Sequence, residues 1–259
     1  GKRSMEPQFY KGNRDAFMEK LAPGSLALFF SGVPVRKTAD EDYAYFANRN
    51  FVYLTGMEQK DTILMLEKDA SGYRETLFIL PPNLIEERWT GARMKPEEIE
   101  AASMISNFAY RDTFEEELKK VLASGRIEKV YLDIDRMDGQ VVVSGADSME
   151  TFLKQEYPNL LIENSLPILK KLRLIKKPCE IRAMEKAQEI TKAGILAMMT
   201  HSKPGMYEYQ YKAEYDYALA QHGVLEAGFP SIISAGKNNF CIHYYGYRGT
   251  GYGWGYRTE

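Results

Sequence analysis

Short apolar runs alternate with stretches of helical periodicity over residues 12–163. The apolar runs are rich in branched and aromatic side chains and end at turn residues, which is typical of β-strands. We predict strands at residues 25–33, 62–68, 75–80, 129–134 and 160–163. The turn at residues 69–72 (DASG) predicts a hairpin between the second and third of them.

Apolar positions at helical spacing lie between these strands and predict helices. The predicted helices cover residues 15–21, 96–105 and 112–123. Strands of hairpin and crossover type mixed with helices predict an α/β fold, in which a mixed sheet is flanked by helices.

The pattern changes at residue 166 to longer helices. Pro178 can open a helix that ends at residues 203–205 (KPG), and a second helix is expected over residues 207–222. Residues 229–234 are apolar and predict a buried strand. The last residues are rich in Gly and Tyr without a hydrophobic period, which predicts a disordered tail. The predicted domains are residues 5–165, 166–244 and the tail 245–259.

The charge balance argues against two classes of partner. Lys and Arg total 34 against 36 for Asp and Glu, so no basic field attracts nucleic acid or an anionic membrane. The two cysteines, Cys179 and Cys241, lie far apart, and the N-terminus lacks the apolar stretch of a signal peptide. We therefore expect a cytoplasmic protein with no nucleic-acid or membrane partner.

Three blocks of sequence carry a resemblance to a known family. Residues 49–58 (RNFVYLTGME), the stretch from Leu172 to Thr191 (LRLIKKPCEI at its start), and a third block containing KPGMYEY, Phe229 and Ile242-His243-Tyr244 follow one another in order. Together they resemble aminopeptidase P and its prolidase and creatinase relatives. The aminopeptidase P branch fits best.

The resemblance implies both a fold and an activity. The fold would be a creatinase-like N-terminal domain, with a mixed sheet flanked by helices, followed by the first part of an α+β "pita-bread" domain. The activity would be hydrolysis of the N-terminal Xaa-Pro bond of peptides that carry proline in second position. Two metal ions, usually manganese in this branch, would share a hydroxide nucleophile in the complete enzyme.

The metal ligands of the family are two aspartates, one histidine and two glutamates that follow the histidine-tyrosine pair. Here His243 and Tyr244 are followed by fifteen residues with no Asp, no His and a single carboxylate, Glu259. We therefore expect no metal ligands and no bound cofactor in this chain, and we expect it to be a catalytically incomplete fragment. A truncation, a shifted reading frame and an unrelated tail are all compatible with that ending.

Four residues match site positions of the family. The resemblance implies that His243 is catalytic, as a neutral donor beside the metals, and that Phe229, Ile242 and Trp89 bind the substrate. Without the resemblance, His243 would be read as structural, Phe229 and Ile242 as core, and Trp89 as packing or interface.

Two rival functions stay open. One is a non-catalytic module for oligomerisation or binding, and the other is prolidase- or creatinase-type hydrolysis on the same scaffold. In either case a homo-oligomer is expected, because half of a catalytic domain would expose apolar faces and strand edges.

Overall fold

A computed structural model describes residues 5–139 and 143–250. These residues fall into two compact units that divide between Ile175 and Lys176. The division lies beyond the domain limit predicted at residue 165, because the helix at Leu166–Leu174 packs into the first unit, where Leu169 is fully buried. The predicted domain limits themselves stay a prediction.

The first unit contains a mixed sheet, as the sequence predicts, and this sheet has six strands. The strands are β1 (Ser25–Phe30), β4 (Ile63–Asp69), β5 (Gly72–Ile79), β6 (Phe108–Tyr110), β7 (Lys129–Leu132) and β8 (Leu161–Asn164), and a separate hairpin joins β2 (Arg36–Thr38) to β3 (Glu41–Asp42). The strand order is β6-β5-β4-β1-β7-β8. The β1–β4 and β4–β5 pairs are antiparallel, whereas β1–β7, β7–β8 and β5–β6 are parallel. All five predicted strands and the predicted hairpin are confirmed.

Strand β1 lies at the centre of the sheet and is buried on both faces. Its side chains alternate between two cores, so that Ala27 and Phe29 pack on one face while Leu26 and Leu28 pack on the other. A strand covered on both faces reads as a continuous apolar run, which is why SLALFF shows no alternation with polar residues.

Helices cover both faces of this sheet. They are α1 (Pro7–Glu19), α2 (Arg49–Thr55), α4 (Pro96–Ser103), α5 (Phe114–Ala123), α6 (Gly145–Glu156) and α7 (Leu166–Leu174). A further short helix, α3 (Leu84–Thr90), buries none of its residues. The first helix begins at Pro7, earlier than predicted, since proline is well suited to the first turn. The fifth begins at Phe114, after a short 3₁₀ turn at Arg111–Thr113.

A buried arginine links the helices to the sheet. Arg14 of α1 is fully buried, and its guanidinium donates to both carboxylate oxygens of Glu75 on β5, at 2.7 and 3.3 Å. It also donates to the backbone carbonyls of Leu54 and Ser103, each at 2.9 Å. These carbonyls belong to the last turns of α2 and α4, where they have no partner within their own helix. One side chain thus satisfies polar groups from three elements.

The second unit is built on two helices, α8 (Pro178–His201) and α9 (Glu208–Gln221). They pack closely at Gly194, where an added Cβ would come within 2.5 Å of the Tyr215 ring and 3.0 Å of Leu219. A short 3₁₀ helix follows at Gly236–Phe240. Both predicted helices are confirmed.

Residues 229–234 do not form the buried strand that the sequence predicts. Phe229 is 71% exposed and Ile232 is 43% exposed. A strand requires a neighbour for its backbone hydrogen bonds, and no strand of the described part of this unit lies beside the segment. The apolar run alone was therefore an insufficient signal.

The predicted disordered tail also differs from the structure over residues 245–250. Glu208 N–H donates to the Gly249 carbonyl at 2.9 Å, Tyr209 N–H donates to the Tyr247 carbonyl at 3.1 Å, and Thr250 forms a bridge with Tyr207. These hydrogen bonds fix the segment on the start of α9. The rest of the predicted tail lies outside the described residues.

No helix within residues 5–139 and 143–250 is both long and apolar enough to cross a membrane.

Candidate functional site

The segment after α9 carries three of the four predicted site residues. Ile242 is 83% exposed, and His243 is also exposed, with its ring stacked on that of Tyr245 at a centroid distance of 6.3 Å. Both lie on the loop that follows the 3₁₀ helix. Phe229 lies earlier in the segment with its ring mostly in solvent. These three side chains are therefore open to solvent and not committed to a core.

A buried carboxylate holds the loop that carries Ile242 and His243. Glu208, the first residue of α9, is 1% exposed. Its Oε1 accepts from the Ala235 amide at 2.7 Å and from Asn238 Nδ2 at 2.9 Å. Its Oε2 accepts from the Tyr244 hydroxyl at 2.6 Å and from the Gly249 amide at 2.9 Å. Each carboxylate oxygen thus has two donors.

The donors stabilise the charged form of this carboxylate. Burial acts to raise the pKa of Glu208, but the four hydrogen bonds together outweigh it and bring the pKa below the ordinary glutamate value. The hydrogen bond to the carboxylate, assisted by partial desolvation, raises the pKa of Tyr244. Glu208 is therefore an ionised acceptor at neutral pH and Tyr244 is a neutral donor.

Gly249 allows the close approach on the far side of the carboxylate. A Cβ at this position would lie 2.5 Å from Asn238 Nδ2 and 2.6 Å from Glu208 Oε1. Such contacts are shorter than side chains tolerate, so a residue with a side chain would push the donor and the acceptor apart. The packing therefore requires glycine here.

Sequence reasoning missed the role of Glu208. Its position after the Pro204-Gly205 turn indicates a residue in the first turn of a helix, and acidic residues are common there for electrostatic reasons. Its donors Ala235 and Gly249 contribute backbone amides, which leave no trace in the side-chain pattern. The sequence offered only the helix start as a signal.

Trp89, the fourth predicted site residue, belongs to the first unit. It lies on the short helix α3 and is 85% exposed. The Asn83 side chain caps this helix by accepting from the amides of Ile85 and Glu86 at 3.2 and 3.1 Å. Glu87 accepts from the Arg93 amide, which follows the helix, and from the Asn83 amide, which precedes it. These hydrogen bonds, chiefly the one from Arg93, hold the pKa of Glu87 below the ordinary glutamate value. Trp89 is thus presented to solvent on an anchored helix.

The motif at residues 49–58 takes part in a polar network of the same unit. Asn50 Nδ2 donates to both carboxylate oxygens of Asp133, at 3.1 and 3.0 Å, and Arg173 Nη1 donates to Asn50 Oδ1 at 2.8 Å. Burial raises the pKa of Asp133 above its ordinary value, against the opposing effect of the Asn50 hydrogen bond. The network joins α2, the end of β7 and α7, so two of the recognised sequence blocks meet here.

No group of three or more His, Cys, Asp or Glu side chains in the described part of the chain is arranged to hold a metal ion. Two carboxylates that precede His243 in the second unit, Glu214 and Asp216, have other partners. Glu214 lies 2.8 Å from the ring of His201, and Asp216 pairs with Lys212. Both carboxylates lie on α9, where Glu214 is partly exposed and Asp216 is exposed.

Two protein families match the chain. "Aminopeptidase P, N-terminal domain" matches residues 10–131, and "Metallopeptidase family M24" matches residues 182–252. The second family implies metal ions. The described residues do not fit such ions, because their carboxylates and imidazoles form no ligand group.

Curated and solved proteins agree with these matches. The Xaa-Pro aminopeptidase of Escherichia coli is 27% identical over 242 residues, which cover 92% of this chain and 54% of the relative. A Bacillus anthracis protein provisionally assigned as an aminopeptidase P superposes with a TM-score of 0.92 at 29% identity, over 96% of this chain and 59% of its own. Zinc-substituted E. coli aminopeptidase P in complex with product superposes with a TM-score of 0.82 at 26% identity, over 96% and 57%.

The chain spans about half the length of the curated relatives that it matches. Over that half, one of the two matched family models and the fold are those of aminopeptidase P. The chain thus resembles the aminopeptidase P metallopeptidases over residues 10–131 and 182–252.

Proposed function

We propose that the protein belongs functionally to the Xaa-Pro aminopeptidases, which release the first residue of peptides with proline in second position. The observation that carries the proposal is the superposition on the B. anthracis structure over 96% of this chain. The two family models match successive parts of this chain, residues 10–131 and 182–252. The N-terminal sheet and the start of the M24 domain would thus serve the same reaction.

The substrate-binding role is proposed for Phe229, Ile242 and Trp89, and the catalytic role for His243. The exposure of the three apolar side chains supports it, since an apolar wall suits a proline ring and these side chains are not engaged in a core. A neutral imidazole can donate a hydrogen bond to a peptide carbonyl or to the intermediate formed from it.

Two manganese ions are proposed for the complete enzyme, whereas the 259-residue chain by itself is proposed to bind no metal pair and to hydrolyse no peptide. The engagement of Glu214 with His201 and of Asp216 with Lys212 supports this, because these carboxylates are directed to other partners. Without a cation, water is scarcely ionised at neutral pH, because its pKa lies far above 7. An imidazole cannot replace the metal in forming hydroxide.

Manganese titration and a peptidase assay test this proposal. Calorimetry of the chain with Mn²⁺ is expected to give no stoichiometric binding, and Ala-Pro-Ala is expected to stay intact. Adding the C-terminal half of an E. coli-type relative is expected to restore hydrolysis of Ala-Pro-Ala but not of the control Ala-Ala-Ala. Stoichiometric micromolar binding with chelator-sensitive hydrolysis by the chain alone would refute the inactive fragment. Hydrolysis of the dipeptide Ala-Pro alone would favour the prolidase alternative.

A second candidate, a homo-oligomerisation module, is favoured by the exposed apolar side chains of α3. Leu84, Ile85 and Trp89 are 81%, 73% and 85% exposed on this short helix. An apolar patch of this kind promotes association. Sedimentation velocity is expected to show a concentration-dependent oligomer that Trp89→Ala weakens. A monomer at all concentrations would exclude this candidate.

A further inference from the structure

The loop that carries Ile242 and His243 closes at both ends on the same side chain. Asn238, before the pair, donates to Oε1 of Glu208, and Tyr244, immediately after it, donates to Oε2. Asn238 Nδ2 also donates to the Tyr244 hydroxyl at 3.1 Å, so the two ends contact each other as well. The intervening residues are thus bounded by two anchors on one buried carboxylate.

We propose that Glu208 is a positioning residue that fixes this loop and thereby sets the placement of Ile242 and His243. Its carboxylate is buried on the helix α9, which packs closely on α8. The expected effect on substrate binding rests on the proposed function of Ile242 and His243. The fixation of the loop does not depend on that function.

The arrangement requires a carboxylate and not merely a polar side chain of the same size. All four partners donate to it, and two of them are the backbone amides of Ala235 and Gly249. A glutamine would replace one acceptor oxygen by an NH₂ donor. The hydroxyl of Tyr244 and the amide of Asn238 can reorient to accept from that donor, but a backbone N–H cannot. In either orientation of the glutamine, one backbone amide faces a donor.

Aspartate keeps the charge but is shorter by one methylene. It can therefore approach one pair of donors but not both pairs. Gly249→Ala perturbs the same contact from the opposite side, since its Cβ would collide with Asn238 and Glu208. The two positions provide independent variants of one interaction.

Amide hydrogen exchange, followed by NMR, tests the fixation of the loop. In Glu208→Gln, the amide of Ala235 or of Gly249 is expected to exchange about tenfold faster or more, since a hydrogen bond to a charged group is lost. Glu208→Asp should give a smaller increase. The control is Glu214→Gln, on the same helix but paired with His201 at the surface, which should leave both amides unchanged.

Unchanged exchange at both amides in Glu208→Gln would overturn the proposal. Fast exchange of the α8 amides would show that Glu208→Gln fails to fold. In that case the Gly249→Ala variant is used to test the proposal. Accelerated exchange at Ala235 in Gly249→Ala then supports the proposal, and unchanged exchange overturns it.

The functional consequence is tested by NMR of the His243 ring during titration with Ala-Pro-Ala. The apparent Kd is expected to rise about tenfold in Glu208→Gln, less in Glu208→Asp and not in Glu214→Gln. If accelerated loop exchange leaves the Kd unchanged, Glu208 does not act through these residues and the positioning role is refuted. If the unaltered chain binds no Ala-Pro-Ala, the proposed function of Ile242 and His243 fails, and the exchange data still decide the fixation of the loop.

Discussion

Replacing Arg14 by methionine should strongly destabilise the N-terminal unit. The substitution leaves the Glu75 carboxylate, whose side chain is 15% exposed, without its cation, and leaves the carbonyls of Leu54 and Ser103 without their donor. Breaking a buried pair by removing one partner costs about 3–5 kcal/mol, because the remaining charge is uncompensated. We therefore expect the free energy of unfolding to fall by about 3–5 kcal/mol.

The measurement is urea-dependent hydrogen exchange of peptides from β1 and β4, because these report on the first unit alone. Arg74→Met is the matched control, since Arg74 adjoins Glu75 but is 73% exposed. Its partner Glu67 keeps Arg126 at 3.8 Å, so the loss of Arg74 should cost about 0–1 kcal/mol. Arg14→Met combined with Glu75→Gln should recover part of the loss, because the unpaired charge is removed. If Arg14→Met costs no more than Arg74→Met, the buried pair is not a major source of stability and the reasoning is wrong.

Two further predictions concern a glycine and the partly buried carboxyl of Asp133. Gly56→Ala should lower the thermal midpoint more than Gly125→Ala. Both positions have φ near +70° (71° and 74°), a backbone conformation that costs a residue with a side chain about 1–2 kcal/mol. Only at Gly56 would the added Cβ also collide, at 2.5 Å from the Tyr10 ring. Equal thermal midpoints for the two variants would contradict this. Because the pKa of Asp133 is raised, the folded state holds its proton more tightly, so the stability of the unit should fall as pH rises from 3.8 through the raised pKa. Asp133→Asn should remove that fall. Urea-dependent exchange at pH 4 and pH 6 measures the stability of the unaltered protein and of the variant, and the same pH dependence in both would contradict the prediction.

The strands of the first unit could be predicted because their apolar runs are bounded by turn residues. The turn at residues 69–72 was predictable because its hydrogen bonds are local. Asp69 Oδ1 accepts from the amides of Ser71 and Gly72 and so fixes the hairpin. The short edge strand β6, of three residues, gave no such pattern. Residues 229–234 show the converse, because an apolar run without a paired neighbour is not a strand.

The candidate site was predictable only where it depends on side-chain type. The resemblance indicated His243, Ile242, Phe229 and Trp89, and their roles stay a prediction. The network of Asn50 with Asp133 and the anchoring of the loop by Glu208 depend on contacts between residues far apart in sequence, and partly on backbone donors. Neither leaves a local pattern, and so neither could be predicted from one sequence.

The central position of β1 has a consequence for the newly made chain. One edge of β1 pairs with β4, which is close in sequence. The other edge pairs with β7, in which Lys129 is the partner of Ser25 although it lies about a hundred residues further along the chain. During synthesis on the ribosome, β1, β4 and β5 can assemble before β7 has been translated. Until then, the second edge of β1 exposes unpaired backbone groups between two apolar faces. While it is unpaired, this edge is open to mispairing and to chaperone binding.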